Sequence, residues 1–513
     1  QPSTDPDSQR PPWRPTARGQ TRPAAGPRYL PVWVTVKVPA DAKPGKYSSA
    51  LEIKGLPKPV SVPIEMTVYG WKLPDPRNWR TVVNLLQSPE SVAGHYKVPL
   101  WSERHFQLIV NSLALMGECG NDVLGISAVG KTVFGNDPLI LFRREGGKLV
   151  PEFRFLERYL SLYNRHCGEP LFLSVQVWHY GMSSRGAGRD GGKQASIAET
   201  IPLAELQGDR LVPLDYPMYG KPGTEELWRR VMDGLCACVA KLGWRKECIL
   251  VGTGGDNWPN PEIVSFFKQV APYARWRVLT HGGGAPRWGL TPQERTQPNG
   301  MVVDCFELAR RLRSGRVHVK GCCITGNSRD DCGSEPFCFW SLPVCNIFPA
   351  NYEGYSWKGL DYWTYTTPEG TRRNALNTYV GFGNVVGGTP RAIAMPGPDG
   401  AVTTAQLECL KEGTQDSEAM LYMREALRAP GLRAKLGEEL AKRCEAAITD
   451  HWSYLELGLR LFPTTKQGIG LGLESDYDFT EEPTSPLFLG SGSLRALYTT
   501  KDRGFSHLYH RHE

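Results

Sequence analysis

The run Ile249-Leu-Val-Gly-Thr-Gly-Gly-Asp-Asn257 constrains the fold more than any other stretch of this chain. A short apolar run without alternation, ended by glycines and a carboxylate, describes a strand buried on both faces as it enters its loop. Such strands belong to parallel sheets covered by helices. A second ending of this kind, Gly359-Leu-Asp-Tyr-Trp-Thr-Tyr365, adds aromatic rings to a later strand. In a parallel barrel these ends share one rim, and the loops beyond them make the active face. Flat rings beside a carboxylate suit a sugar, whose C–H faces stack on aromatic side chains.

The rest of the chain supports the barrel. From Asn78 onward, short apolar runs alternate with longer helical stretches, the pattern of βα units. Strands are expected near Val82–Leu86, Asp122–Ile126, Leu171–Trp178, Ile249–Gly252, Arg277–Thr280, Met301–Cys305, Val317–Cys322 and Leu360–Tyr365. That is the set a closed (β/α)8 barrel needs. Helices are expected at Trp101–Met116, Glu225–Leu242 and Pro261–Val270, and a capping box at Thr403-x-x-Gln406 opens another.

At 513 residues the chain is too long for one core, so several domains are expected. The division runs 1–28, a disordered basic tail; 29–75, a partial β-sandwich; 76–430, the (β/α)8 barrel; and 431–513, a C-terminal helix and β extension. The sandwich rests on three strand-like runs, Leu30–Val38, Tyr47–Ile53 and Val60–Val68. Three strands make an incomplete sandwich. The fold class is therefore multidomain α/β, a TIM-type barrel with a partial N-terminal sandwich and a small C-terminal extension.

A net charge of +7 is modest for this length, and much of the arginine excess sits in the first 28 residues. No basic, aromatic-interleaved surface for nucleic acid is encoded, and no apolar run is long enough to span a membrane. The 13 cysteines include a cluster at 322, 323, 332, 338 and 345 without a Cys-x-x-Cys pair, so a structural zinc site is not expected. These cysteines read as small buried residues, with one or two disulfides open if the protein is exported. No His-Glu-x-x-His or Gly-x-Ser-x-Gly motif occurs, and no Gly-x-Gly-x-x-Gly stands directly after an apolar strand as a dinucleotide fingerprint requires, so no cofactor and no metal are expected. The oligomeric state is not legible.

Four stretches, in order, resemble the glycoside hydrolase 123 family and its domain-of-unknown-function 4091 relatives. They are Pro44-Gly-Lys-Tyr47 through Val68-Tyr-Gly-Trp-Lys-Leu-Pro-Asp75, Val251-Gly-Thr-Gly-Gly-Asp-Asn257, Trp357-Lys-Gly-Leu-Asp-Tyr-Trp363, and Pro396-Gly through Leu407-Glu-Cys-Leu-Lys-Glu-Gly-Thr-Gln-Asp-Ser-Glu418. The resemblance implies a β-sandwich followed by a (β/α)8 barrel, and removal of β-linked N-acetylgalactosamine without a cofactor. It implies substrate-assisted retaining hydrolysis, in which the sugar's acetamido oxygen attacks the anomeric carbon, an exception to the two-carboxylate scheme. Such enzymes carry Asp-Glu where this chain has Asp256-Asn257. Asp256 matches the carboxylate that orients the acetamido group; Asn257 stands at the acid position and cannot protonate a leaving group.

Three readings follow from Asn257. The acid comes from another strand end, with Glu307, Asp304, Glu335 and Asp361 as candidates; the substrate differs from the family's; or the site binds without turnover. Asp256 itself also reads as an ordinary turn carboxylate, because Gly-Gly-Asp-Asn is a good turn sequence. Sugar-binding candidates are Trp178, His179, Tyr180, Trp258, His281, Asp304, Tyr362, Trp363 and Tyr365. Each has a plainer reading as a rim or core side chain. Strand alternation would let at most one of Tyr362 and Trp363 line the mouth. The expected partner is a glycan, and the expected location is secreted or periplasmic. The expected function is a glycosidase acting on β-linked N-acetylhexosamine, or alternatively a catalytically impaired carbohydrate-binding protein derived from one.

Overall fold

The computed structural model describes residues 33–55, 57–132, 136–178, 199–208, 210–252, 261–280, 301–305, 323–326, 336–347, 353–370, 372–373 and 392–461. They fall into two units, Gln1–Lys72 and Leu73–Glu513. In the first, β1 (Gly45–Ile53) and β2 (Val60–Val68) form an antiparallel hairpin in which Gly45 pairs with Val68 and Ile53 with Val60. Several of its apolar side chains, Tyr47, Ile53, Val60 and Val62 among them, are exposed. The strand expected at Leu30–Val38 is not found: its described part, residues 33–38, pairs with neither β1 nor β2. The described residues of this unit form one hairpin.

The second unit is a mixed α/β assembly with several sheets. In chain order it contains β3 (Val82–Leu86), α1 (Pro89–Tyr96), α2 (Glu103–Glu118), β4 (Val123–Ser127), β5 (Leu141–Glu145), β6 (Lys148–Glu152), α3 (Arg154–Cys167), β7 (Phe172–Gln176), β8 (Thr200–Gln207), β9 (Arg210–Pro217) and α4 (Thr224–Lys241). There follow β10 (Ile249–Gly252), α5 (Pro261–Val270), β11 (Arg275–Thr280), β12 (Met301–Cys305), β13 (Cys323–Gly326), α6 (Pro336–Ile347) and β14 (Gly354–Gly359). Short strands β15 (Tyr365–Thr366), β16 (Arg372–Arg373), β17 (Met395–Gly397) and β18 (Gly400–Val402) lead to α7 (Ala405–Arg428) and α8 (Pro430–Leu461).

Eight strands form one parallel sheet in the order β3-β14-β13-β12-β11-β10-β7-β4. The outermost two are themselves joined by a parallel bridge between Val83 and Asn121, and Asp122 N–H donates to Val83 O at 2.9 Å. One face of the strands packs on the helices, with Val83, Leu85, Leu124, Ile126, Leu173, Val175, Ile249 and Val251 in the main core. The other face begins with a separate apolar quartet, Val82, Val123, Phe172 and Leu250. Burial on both faces explains the short runs rich in apolar residues by which these strands were legible.

Where strand positions differ from expectation, they move by a few residues at the ends. The largest shifts are the last two: β13 starts at Cys323 rather than Val317, and β14 is Gly354–Gly359 rather than Leu360–Tyr365. Asp361, Tyr362 and Trp363 therefore lie beyond a strand end, and the alternation argument does not apply to them. The cap of α7 is Thr404, whose hydroxyl accepts from Leu407 N–H at 3.2 Å; Thr403 instead donates to Glu408 at 2.7 Å.

A second sheet, ordered β6-β5-β8-β9, is made entirely from the segments that follow β4 and β7. Two antiparallel hairpins meet in a parallel step where Phe142 pairs with Glu205. At the opposite, amino end of the parallel sheet, α7 closes the structure. Its Glu418 accepts from Arg80 N–H, Thr81 N–H and the Thr81 hydroxyl at 3.0, 2.7 and 2.6 Å. Asp416 accepts from Trp340 Nε1 at 2.8 Å, and Thr414 meets the Tyr355 hydroxyl at 3.2 Å. A Cβ on Gly413 would lie 2.0 Å from Trp340 O, so only glycine allows α7 this close to α6. The Gly-x-x-Asp-x-Glu stretch of α7 thus secures the scaffold.

Candidate active site

All eight parallel strands end on one rim, and the chemistry described there centres on β3 and β14, which are neighbours in the sheet. As β3 ends, Ser88 caps α1, its hydroxyl accepting from Ser91 N–H at 3.3 Å, with Pro89 in the first turn where no N–H is needed. This capping turns Gln87, Ser88 and Glu90 toward the end of β14. Ser88 N–H donates to Asp361 Oδ1 at 2.7 Å and Gln87 Nε2 to Asp361 Oδ2 at 2.8 Å. Gln87 is fixed in turn by the Tyr159 hydroxyl, 2.8 Å from its Oε1. Asp361 is fully buried; burial pushes its carboxyl up to about 6, against the pull of these donors.

Glu90 is the second buried carboxyl of this rim. Its Oε1 accepts from Asp137 N–H at 2.9 Å, and its Oε2 lies 3.3 Å from the Ser88 hydroxyl. Burial, then the nearby Asp137 charge, raise it to about 8, opposed by Arg373. Arg373 pairs with Asp137 at 3.1 Å. Glu90 is therefore mostly protonated at neutral pH, a carboxylic acid able to give a proton.

The aromatic candidates separate. Trp178, just past β7, and Tyr362 are buried. Trp363 is buried as well: its Nε1 donates to Ala394 O at 2.8 Å, and its ring sits edge-on to His95 and Tyr96. Tyr365 is half-buried and lies flat against α1, where a Cβ on Gly94 would fall 2.1 Å from its ring. Asp304 lies in β12, in register with Leu279 and Thr325. Asp256, Asn257, Trp258, His179, Tyr180, His281, Glu307 and Glu335 lie outside the described residues.

Gln87, Glu90, Asp137 and Arg373 were not read from the sequence. The first two could have been. They stand directly after a strand, in Gln87-Ser-Pro-Glu90, where the strand-end rule applied to later strands gives them the same functional weight. Asp137 and Arg373 carry no local signal, because only the folded chain brings them within reach of Glu90.

The sequence model of the glycoside hydrolase 123 catalytic domain matches residues 86–200. Over this segment the chain is similar to the catalytic domain of the glycoside hydrolase 123 family. The matched segment begins at the last residue of β3 and takes in Gln87, Glu90, Asp137 and Trp178. Among solved structures, a family 123 glycoside hydrolase from Clostridium perfringens, described for glycolipid glycan hydrolysis, shares the fold with a TM-score of 0.54. That comparison has 14% identity and covers 79% of this chain and 70% of the other. No curated protein matches the chain. The match to this catalytic domain and the glycoside hydrolase structural neighbour support a glycosidase, and a glycan is consistent with that as its partner. Among the described residues, no helix is long and apolar enough to cross a membrane.

Proposed function

We propose that this protein is a family 123 glycosidase and hydrolyses β-linked N-acetylhexosamine, N-acetylgalactosamine-like, or a related glycan such as those of glycolipids. The reaction is substrate-assisted and retaining, on the carboxyl rim of a (β/α)8 barrel. The barrel reading rests on the parallel bridge that ties the outermost strands β3 and β4. The observation that carries the functional reading is the place of β10. It lies between β7 and β11 and ends at Gly252, four residues before Asp256 along the sequence, so its loop leaves from the same rim as Gln87, Glu90 and Asp361. Asp256 then orients the acetamido group for attack on the anomeric carbon.

Asn257 cannot serve as the acid, and the proton is assigned to the rim instead. Glu90 is the first choice because its carboxyl holds a proton through neutral pH; Asp361, at about 6, is the second. The same asparagine also favours a second reading, binding without turnover. Hydrolysis of 4-nitrophenyl N-acetyl-β-galactosaminide by the wild type, Asp256→Ala and Asn257→Glu separates them. Turnover that falls by about 10²–10⁴ in Asp256→Ala supports the assignment, a range typical of losing a catalytic carboxylate. Binding without turnover, with activity appearing in Asn257→Glu, establishes the second reading. Neither binding nor turnover overturns both.

A further inference from the structure

The inner face of the parallel sheet carries buried polar atoms that the described fold does not satisfy. Asn84 is fully buried, and among the described residues neither its Oδ1 nor its Nδ2 has a hydrogen-bond partner. Gln176 Oε1 and Ser356 Oγ, also buried, have none either. A buried amide without partners has lost its water and gained nothing in return, and native folds hold few such groups.

These groups form one band. Gln176 Nε2 donates to Ser174 Oγ at 3.2 Å. A Cβ on Gly252 would lie 2.6 Å from Gln176 Nε2 and 3.0 Å from Ser174 Oγ, so both side chains lie across that glycine on the inner face. On the other side Gly125 is in register with Ser174, and among the described residues a Cβ there meets nothing within 4 Å. Ser356 falls in the irregular step of β14 between Tyr355, level with Val83, and Lys358, level with Leu85, which is the level of Asn84. The band therefore runs β14, β3, β4, β7, β10 and stands nearer the carboxyl rim than the apolar quartet. The missing Cβ of Gly125 leaves open space in it, and that of Gly252 gives the Gln176 and Ser174 side chains their room.

We propose that this band is a polar well forming the floor of the glycan site, where Asn84, Gln176 and Ser356 hydrogen-bond uncharged hydroxyl or amide groups of the bound sugar. A carboxamide offers a donor and an acceptor together, which is what a sugar hydroxyl requires. Asn84 and Gln176 then set which sugar is accepted, because a site built to hydrogen-bond a hydroxyl strongly rejects the analogue that lacks it. The inference rests on the glycosidase reading of the rim above it.

The test replaces the amides with apolar groups of similar size, Asn84→Leu and Gln176→Met, and adds Gly125→Val to occupy the open space. Thermal unfolding is measured beside kcat and KM on 4-nitrophenyl N-acetyl-β-galactosaminide, N-acetyl-β-glucosaminide and β-galactoside. We expect unfolding midpoints unchanged or raised, kcat/KM on the preferred glycoside lowered at least about tenfold, and narrower discrimination among the three. Gly125→Val should raise KM in a folded protein. Unchanged kinetics in folded variants beside an active wild type overturn the well alone. A lowered midpoint with unchanged kinetics also overturns it, by showing that the amides serve the fold. A wild type that neither hydrolyses these substrates nor is stabilised by N-acetylgalactosamine or N-acetylglucosamine removes the glycosidase reading and the well together.

Discussion

Replacing Glu90 with glutamine should flatten the pH dependence of stability across the neutral range. In the unfolded chain Glu90 releases its proton near 4.5; in the folded protein it holds it up to about 8. Between those values the folded state binds more protons than the unfolded state, so stability falls as pH rises. The contribution is fully present below 4.5 and lost as pH passes through about 8. That displacement corresponds to roughly 5 kcal/mol between the two ends of the window. Glu90→Gln is nearly isosteric, its amide oxygen can still accept from Asp137 N–H, and it has no proton to release. Asp361 and Asp122, whose carboxyls burial raises to about 6 and about 8, tilt the stability of both proteins in the same direction and cancel in the difference. Urea unfolding at pH 5, 6, 7 and 8, followed by tryptophan fluorescence, gives the two curves. The wild type should lose several kcal/mol relative to the variant across this range and end less stable than it at pH 8. Parallel curves would refute a protonated Glu90, and with it the first choice of proton source on the rim.

Two further outcomes concern packing. Gly94→Ala puts a methyl 2.1 Å from the Tyr365 ring; we expect about 1–3 kcal/mol of destabilisation from overpacking, measured by thermal unfolding, with Tyr365 displaced from the rim. Glu418→Ala strands the Arg80 and Thr81 amides at the amino end of β3 and should cost about 3 kcal/mol, whereas Glu418→Gln, which keeps one acceptor oxygen, should cost less in the same assay.

How much of this was legible depends on whether the signal is local. Val82–Leu86 and Ile249–Gly252 agree with expectation to the residue because burial on both faces leaves short runs rich in apolar residues, interrupted in the first only by Asn84. The aromatic content of Leu360–Tyr365 points to an eighth strand there, whereas the strand lies just before it. Its true span, Gly354-Tyr-Ser-Trp-Lys-Gly359, contains a buried serine, a buried lysine and an irregular step. Leu30–Val38 alternates as a strand should, yet alternation specifies only a face and not a partner. At the site, the strand-end rule reached Asp361, Tyr362 and Trp363, but Trp363 gives its indole N–H to the backbone and its ring to His95. The Glu90, Asp137 and Arg373 grouping joins residues far apart in the chain, and no spacing rule could have found it. The Gly-x-x-Asp-x-Glu stretch was informative about kinship because it holds the scaffold together.

The pairing of β3 with β14 also sets an order of events during synthesis. β3 emerges early, but the strand that covers one of its edges lies some 270 residues later, from Val82 to Gly354. Until then that edge stays open, and so do the backbone amides later answered by Asp361 and Glu418. Contacts this distant along the chain form slowly, and an open strand edge can recruit another chain. A nascent or truncated product ending before Gly359 would therefore carry a nearly assembled sheet with one adhesive side. Aggregation of such fragments, and dependence of yield on chaperones, would then follow from the strand order alone.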